Sequence, residues 1–250
     1  MNIAIIGYGT MGNLAFEQAK KRGHTICAVI DPFSSGATAK GISKESMGNA
    51  EVAIEFSAPS VAVENARKVA ATGCNHIMAT TGWYEHMDEM KAIIRKSGTG
   101  FLWASNFSIG VNMFFRIVSS AAKIADKVDS YDVFSYELHH NRKQDSPSGT
   151  ARSIAQILIA NISRKKTIVE DKLNRKIAPD ELHVASIRGG DIPGTHVVAF
   201  DSTADSIELK HTARNRNGFA LGSVLAAEWA KGKTGFFTID QMMDEVLGRE

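Results

Sequence analysis

The chain is short of cysteine, with two in 250 residues. Cys27 and Cys74 each sit in or beside an apolar segment, so no disulfide framework is available and buried thiols are expected. Long hydrophobic runs are also missing. None approaches the roughly 20 residues that span a bilayer, and "MNIAIIGYG" enters its apolar run with no basic leader. A soluble, cytoplasmic protein with no membrane partner is the expectation. Excess charge of one sign is absent too: 29 Lys and Arg face 27 Asp and Glu, a net charge of +2. That balance speaks against a nucleic-acid partner. No paired cysteines and no H-x-x-x-H spacing occur, and adjacent histidines on a strand diverge, so no metal site is expected.

What is present begins at the N-terminus. "GYGTMG" follows the first apolar run and places Gly7, Gly9 and Gly12 in G-x-G-x-x-G spacing. A helical stretch follows, then "TICAVID", ending in Asp31. Gly7 permits the tight turn, Gly9 lets backbone approach a pyrophosphate, and Gly12 lets helix pack on strand. The helix N-terminus offers N–H groups and a positive dipole end to the phosphates. Asp31 lies where an acid accepts hydrogen bonds from the adenosine ribose. Its charge repels a 2′-phosphate, and Pro32 follows rather than an arginine. NADH is therefore expected to bind at least as well as NADPH, although Lys40 and Lys44 keep NADPH in play.

Strand–helix alternation continues to about residue 108, implying a doubly wound parallel sheet of Rossmann type. Ligands in such sheets sit beyond the carboxyl ends of the strands. The loops there are "GYGTMG", "ATTGW" and "ASNFS". Thr80 and Thr81 offer hydroxyls for the nicotinamide end; a plain capped turn explains that loop equally well.

From about Gly110 the pattern changes. "YDVFSYELHH" alternates like a half-buried strand, with Phe134, Tyr136 and Leu138 on the inner face and Ser135, Glu137 and His139 on the open one. "THVVAFDSTADSIELKHTA" reads as a hairpin. The chain thus divides into residues 1–110 plus 217–250, a dinucleotide-binding domain, and 111–216, an α+β domain for substrate binding and oligomerisation. The final segment reads as helix returning to the first domain.

Within the second domain, "HHNRKQDSPSGTA" crowds His139, His140, Arg142 and Lys143 before a helix started by Pro147 and capped by Ser146. Ala151, Ile154, Ala155 and Leu158 form that helix's buried stripe. Donors near Gly149 and Thr150, at a positive dipole end beside these cations, make an anion site, most simply for a carboxylate. The cations should depress the histidine pKa values until a bound dicarboxylate raises them. A solvated charged loop accounts for the charges, though not for two histidines and a glycine-lined helix start.

The same stretch closely resembles the signature of the 4-hydroxy-tetrahydrodipicolinate reductase (dihydrodipicolinate reductase) family. "IGYGTMG", "EFS", "TTGW", "NFSIGVN", "IRGGDIPGTHVVAF" and "FALGSVLAA" resemble its other blocks, in order, over nearly the whole chain. The resemblance implies NAD(P)H-dependent reduction of 4-hydroxy-tetrahydrodipicolinate with loss of water, in diaminopimelate and lysine biosynthesis. It implies His139 as general acid/base and Lys143 as proton donor, with His140, Lys143, Gly149 and Thr150 holding the carboxylates of a small cyclic substrate. Gly7, Tyr8, Gly9, Thr10, Met11, Gly12, Asp31, Ala79, Thr80, Thr81, Ala104, Ser105, Asn106 and Phe107 form the implied cofactor site, and a homotetramer the implied assembly. Two departures stand out: Ala79 occupies a usual glycine position, and Asp31-Pro32 replaces an acid–arginine pair. The other functions considered are a dehydrogenase of another small carboxylic acid and a catalytically silent NAD(P)-binding sensor.

Overall fold

The N-terminal apolar run forms strand β1 (Asn2–Ile6), in which Ile3, Ala4 and Ile5 are fully buried. Burial of successive residues is what a strand covered on both faces requires. The computed structural model describes residues 1–248. After β1 come α1 (Thr10–Lys21), β2 (Thr25–Ile30), the one-turn α2 (Lys44–Met47), β3 (Val52–Glu55), α3 (Ala62–Ala71), β4 (Asn75–Met78), α4 (Met87–Ser97) and β5 (Gly100–Trp103). The middle of the chain supplies α5 (Ile109–Ala125), β6 (Asp132–His139), α6 (Gly149–Asn161), β7 (Thr167–Val169), β8 (Glu181–Arg188), β9 (Thr195–Asp201) and β10 (Ser206–Thr212). The chain closes with α7 (Asn217–Ala230), β11 (Gly235–Thr238) and α8 (Ile239–Leu247).

Two compact units result: Met1–Ile109 with the segment from Arg216 onward, and Gly110–Asn215. The first is built on a parallel sheet of order β11-β5-β4-β3-β1-β2. Strand order reverses between β1 and β3, so their carboxyl ends open the crevice where such sheets bind ligands. One face packs Ile5, Ile54, Ile77 and Leu102 against small residues of α1 and α7, among them Ala15, Ala19, Ala226 and Ala227. The other buries Met78, Trp83, Met90 and Phe101.

The final segment is not helix alone, because β11 adds an edge strand beside β5. Asn75 anchors it: Gly100 N–H donates to its Oδ1 (2.7 Å), and its Nδ2 donates to the carbonyls of Ala230 (2.7 Å) and Lys233 (2.9 Å).

In the second unit a mixed sheet runs β10-β9-β6-β8-β7, with β6 parallel to β8 and antiparallel to β9. The hairpin expected at its end is β9–β10. Helices α5 and α6 cover one face, packing Phe114, Val118, Ile154 and Leu158 on Val133, Leu182, Val184 and Phe200.

The faces of β6 are the reverse of those expected. Ser135, Glu137 and His139 are buried, while Phe134 is 40% exposed. Register explains the inversion, since Glu137 lies opposite Ser186 of β8 and His196 of β9. Ser186 and Arg188 of β8 donate to the Glu137 carboxylate, and that offsets the usual penalty for burying it. Among the described residues no helix is long and apolar enough to cross a membrane.

Candidate active site

In the first unit the turn after β1 is shaped by backbone contacts. Gly7 has φ +82°, and a Cβ there would lie 2.2 Å from the Phe56 carbonyl oxygen; a Cβ on Gly12 would lie 1.9 Å from that of Gly7. Both glycines are needed by the protein's own packing. Gly9 differs: its φ of −78° suits any residue, and a Cβ would meet nothing within 4 Å. Nothing in the protein demands glycine there, so the open space fits a ligand lying against the backbone, as a pyrophosphate would. Helix α1 starts at this turn with no acidic residue in its first turn and Lys20 and Lys21 in its last. By contrast α4 opens with Asp88 and Glu89. The positive end of α1 is left for an outside anion.

Asp31, just past β2, accepts hydrogen bonds from the N–H groups of Tyr8 (2.7 Å), Phe33 (2.8 Å) and Ser34 (2.8 Å). The Tyr8 bond, with help from Ser34 and Phe33, outweighs burial and holds the carboxyl below its ordinary range. Two carboxylate oxygens offer about four lone-pair sites, so a ribose hydroxyl would find one in reserve. Lys40 is engaged with the Ser34 carbonyl at 2.8 Å.

Beside the turn lies a cavity of about 250 Å³ lined by Met11, Phe56, Ala79, Ala104, Ser105, Asn106, Phe107, Arg216 and Phe219. It gathers six of the residues expected from the three loops. Phe56, Arg216 and Phe219 were not anticipated; the last two lie 109 and 112 positions beyond Phe107 in the chain. Thr81 is exposed, but the Thr80 hydroxyl turns inward and accepts from Ser57 N–H at 2.8 Å.

In the second unit the "HHNRK" turn docks on the "IRGGDI" turn. His140 N–H donates to the Ile192 carbonyl (2.8 Å), and Gly189 N–H to that of His139 (2.9 Å). Helix α6 begins at Gly149, later than expected, and its cap is Ser148 rather than Ser146. The Ser148 hydroxyl accepts from Ala151 N–H at 3.1 Å, and the stripe of Ala151, Ile154, Ala155 and Leu158 is buried as read. No acidic residue occupies the first turn, which contains Gly149 and Thr150.

At the centre of this site stands Glu137, fully buried. Its Oε1 accepts from Ser148 N–H (2.8 Å), Ser186 Oγ (2.9 Å) and Arg188 Nη2 (2.8 Å), and its Oε2 from the Ser148 hydroxyl. Oε2 also faces His139 Nδ1 at 3.3 Å and His196 Nδ1 at 3.8 Å. Burial alone would favour the neutral acid, yet the Ser148 and Arg188 donors overcome it and keep Glu137 ionised well below the usual carboxylate range.

Burial lowers the His139 pKa against the pull of Glu137, and Lys143 and Arg188 add smaller effects in the same direction. The expectation that cations dominate is therefore corrected: burial comes first. His196 is lowered in the same way. Lys143 pairs with Asp145 at 2.7 Å, whereas Arg142 reaches the exposed Asp191 and stands apart from the cluster.

Glu137, His139 and His196 bring donor atoms within 4.8 Å of one another, a spacing open to a metal ion. The Arg188 guanidinium on the same carboxylate opposes a second cation, and Glu137 already has its donors. Sequence reading missed Glu137, Ser148, Arg188 and His196 as site residues. The one available signal was the "IRGGDIPGTH" block, which carries both Arg188 and His196.

A glycine cradle on a doubly wound sheet, with a separate unit gathering cations and histidines at a helix start, defines a two-domain nicotinamide-dependent oxidoreductase. Comparison narrows the class. Family models described as "Dihydrodipicolinate reductase, N-terminus" and "Dihydrodipicolinate reductase, C-terminus" match residues 1–107 and 110–243. The chain belongs to the dihydrodipicolinate reductase family.

It is 37% identical to a 4-hydroxy-tetrahydrodipicolinate reductase of Christiangramia forsetii, covering 99% of each chain. It is 36% identical to one of Archaeoglobus fulgidus, covering 98% of this chain and all of that one. The fold matches a dipicolinate-bound dihydrodipicolinate reductase from Paenisporosarcina sp. TG-14 with a TM-score of 0.78 at 20% identity, covering 97% of this chain and 99% of that one.

Proposed function

We propose that the chain reduces 4-hydroxy-tetrahydrodipicolinate to tetrahydrodipicolinate with loss of water, a step of diaminopimelate and lysine biosynthesis. Alignment with relatives of that activity over nearly the entire chain carries the reading. A bound dihydronicotinamide supplies the hydride. The chain's own residues hold the substrate and deliver the proton.

In this reading His140, Lys143 and the first-turn amides of Gly149 and Thr150 hold the carboxylates, joining a side-chain cation to a helix's positive end. His139 is the general acid/base and Lys143 the proton donor. Both lie where a cationic donor favours developing negative charge. Glu137 keeps the His139 ring oriented through the 3.3 Å approach to Nδ1. Gly194 gives that ring room, since a Cβ there would stand 3.0 Å from His139 Nε2.

The cofactor lies along residues 7–12, 79–81 and 104–107 of the first unit, which is the dinucleotide-binding domain. The ionised Asp31 favours NADH at least as much as NADPH. The second unit binds substrate and carries the assembly contacts of a homotetramer. Its open sheet face supports that role, with Phe134 and Ile187 40% and 52% exposed.

The test is oxidation of NADH on addition of freshly generated 4-hydroxy-tetrahydrodipicolinate, repeated with NADPH. Rapid oxidation with NADH is expected. Absence of turnover with either cofactor would remove the proposal.

A further inference from the structure

A second buried carboxylate lies in the first unit, remote in sequence from the acid–base residues. Glu55, the last residue of β3, has no exposed surface, and His76 of β4 is 1% exposed. Their nearest atoms, Glu55 Oε2 and His76 Nε2, are 2.8 Å apart. The contact lacks the alignment of a hydrogen bond. Glu55 Oε1 accepts from Asn65 Nδ2 of α3 (2.9 Å) and from the Ser57 hydroxyl. The Ser57 N–H in turn donates to Thr80 Oγ1 at 2.8 Å. The Thr80 carbonyl accepts from Trp83 Nε1 at 2.8 Å.

The loop after β3 is thereby locked to the loop after β4. The residues that flank the lock, Phe56 and Ala79, line the cavity. Packing alone does not call for this arrangement. Replacing buried polar or charged groups by well-packed apolar residues of similar volume is often neutral or stabilising. What the polar cluster adds is a fixed direction for Ser57 and Thr80, and so one geometry for the wall they carry.

We propose that Glu55 is a positioning residue for the nicotinamide cofactor, acting through Ser57 and Thr80 to hold the Phe56 and Ala79 loops in their binding geometry. The role rests on the reading that the first unit binds NADH at the cavity lined by Phe56 and Ala79. It adds Glu55, Ser57 and His76 to the residues that set cofactor affinity.

The test pairs stability with affinity. The double variant Glu55→Leu/His76→Leu should melt within a few degrees of the wild-type temperature, because the half-buried Asn65 and Ser57 that lose their acceptor can turn to water. It should bind NADH roughly ten-fold more weakly by calorimetry, because a loop that must be ordered on binding costs affinity. In turnover the KM for NADH should rise by the same factor, with the KM for the tetrahydrodipicolinate precursor unchanged.

If the double variant does not fold, Ser57→Ala at its half-buried position decides the matter, with an expected loss of about three-fold or more. A folded double variant, or failing that Ser57→Ala, that binds NADH as tightly as wild type overturns the positioning role. Failure of the underlying reading looks different, because the wild-type chain itself would then not bind NADH.

Discussion

In the proposed reading the two units meet anionic ligands by different means. The first uses backbone, with a glycine turn, the start of α1 and an aspartate spent on main-chain N–H groups. The second adds to the start of α6 a set of side chains gathered from β6, β8, β9 and the turn before α6 around one buried carboxylate. A backbone site is encoded by spacing within a dozen residues. A side-chain site depends on register between strands, and about 60 residues lie between Glu137 and His196.

Variants that separate the two means should differ in kind. The largest effect is expected from the second unit. His139→Ala or Lys143→Ala should cut turnover roughly a hundred- to ten-thousand-fold while NADH affinity, measured by calorimetry, stays at the wild-type value. Near-normal turnover in both variants would remove the acid–base assignment.

Next comes Glu137→Ala, which strands the Arg188 guanidinium and should cost about 3–5 kcal/mol, seen as a lowered denaturation midpoint. In the first unit Gly9→Ala should leave the melting temperature unchanged, since its Cβ meets nothing. NADH affinity should nonetheless fall roughly ten-fold, because backbone approach to the pyrophosphate is lost. Stability lost along with affinity would mean that Gly9 serves the fold rather than a ligand.

Acid should reveal the second unit's imidazoles, with His139 and His196 buried and His211 half-buried. Burial lowers the pKa values of His139, His196 and His211 in the folded chain. The unfolded chain therefore binds more protons once pH drops below about 6.5. Stability from these groups is complete above that value and declines as pH falls towards the lowered folded-state values. A melting temperature constant down to about pH 5 would contradict their burial as neutral rings.

The smallest effect belongs to the clasp between the turn after α1 and α7, where Glu228 accepts from Arg22 (2.6 Å) and meets His24 at 2.7 Å. Arg22 is partly solvated, so Glu228→Gln should cost only about 0.5 kcal/mol, read from the denaturation midpoint.

The same contrast explains what could be read in advance. The glycine turn was legible because Gly7, Gly9, Gly12 and Asp31 lie at fixed offsets along one βαβ unit. Parallel strands were legible from alternation, and the buried stripe of α6 from its spacing. The orientation of β6 was not: alternation separates two faces without saying which one packs. Here the polar face turned inward because β8 and β9 supply Ser186, Arg188 and His196 at the right register. Strand β11 is four residues long, too short to show a period. The inward turn of Thr80 escaped notice because its partner, Ser57, lies 23 residues earlier.

The division of labour itself can be measured directly by calorimetry of NADH and of dipicolinate, each titrated separately into wild type, Gly9→Ala and Lys143→Ala. The glycine variant should lose NADH affinity and keep dipicolinate, and the lysine variant should do the reverse. Loss of both ligands in either folded variant, or the opposite assignment, would contradict a glycine-turn site for the cofactor and a Lys143-dependent site for the dicarboxylate.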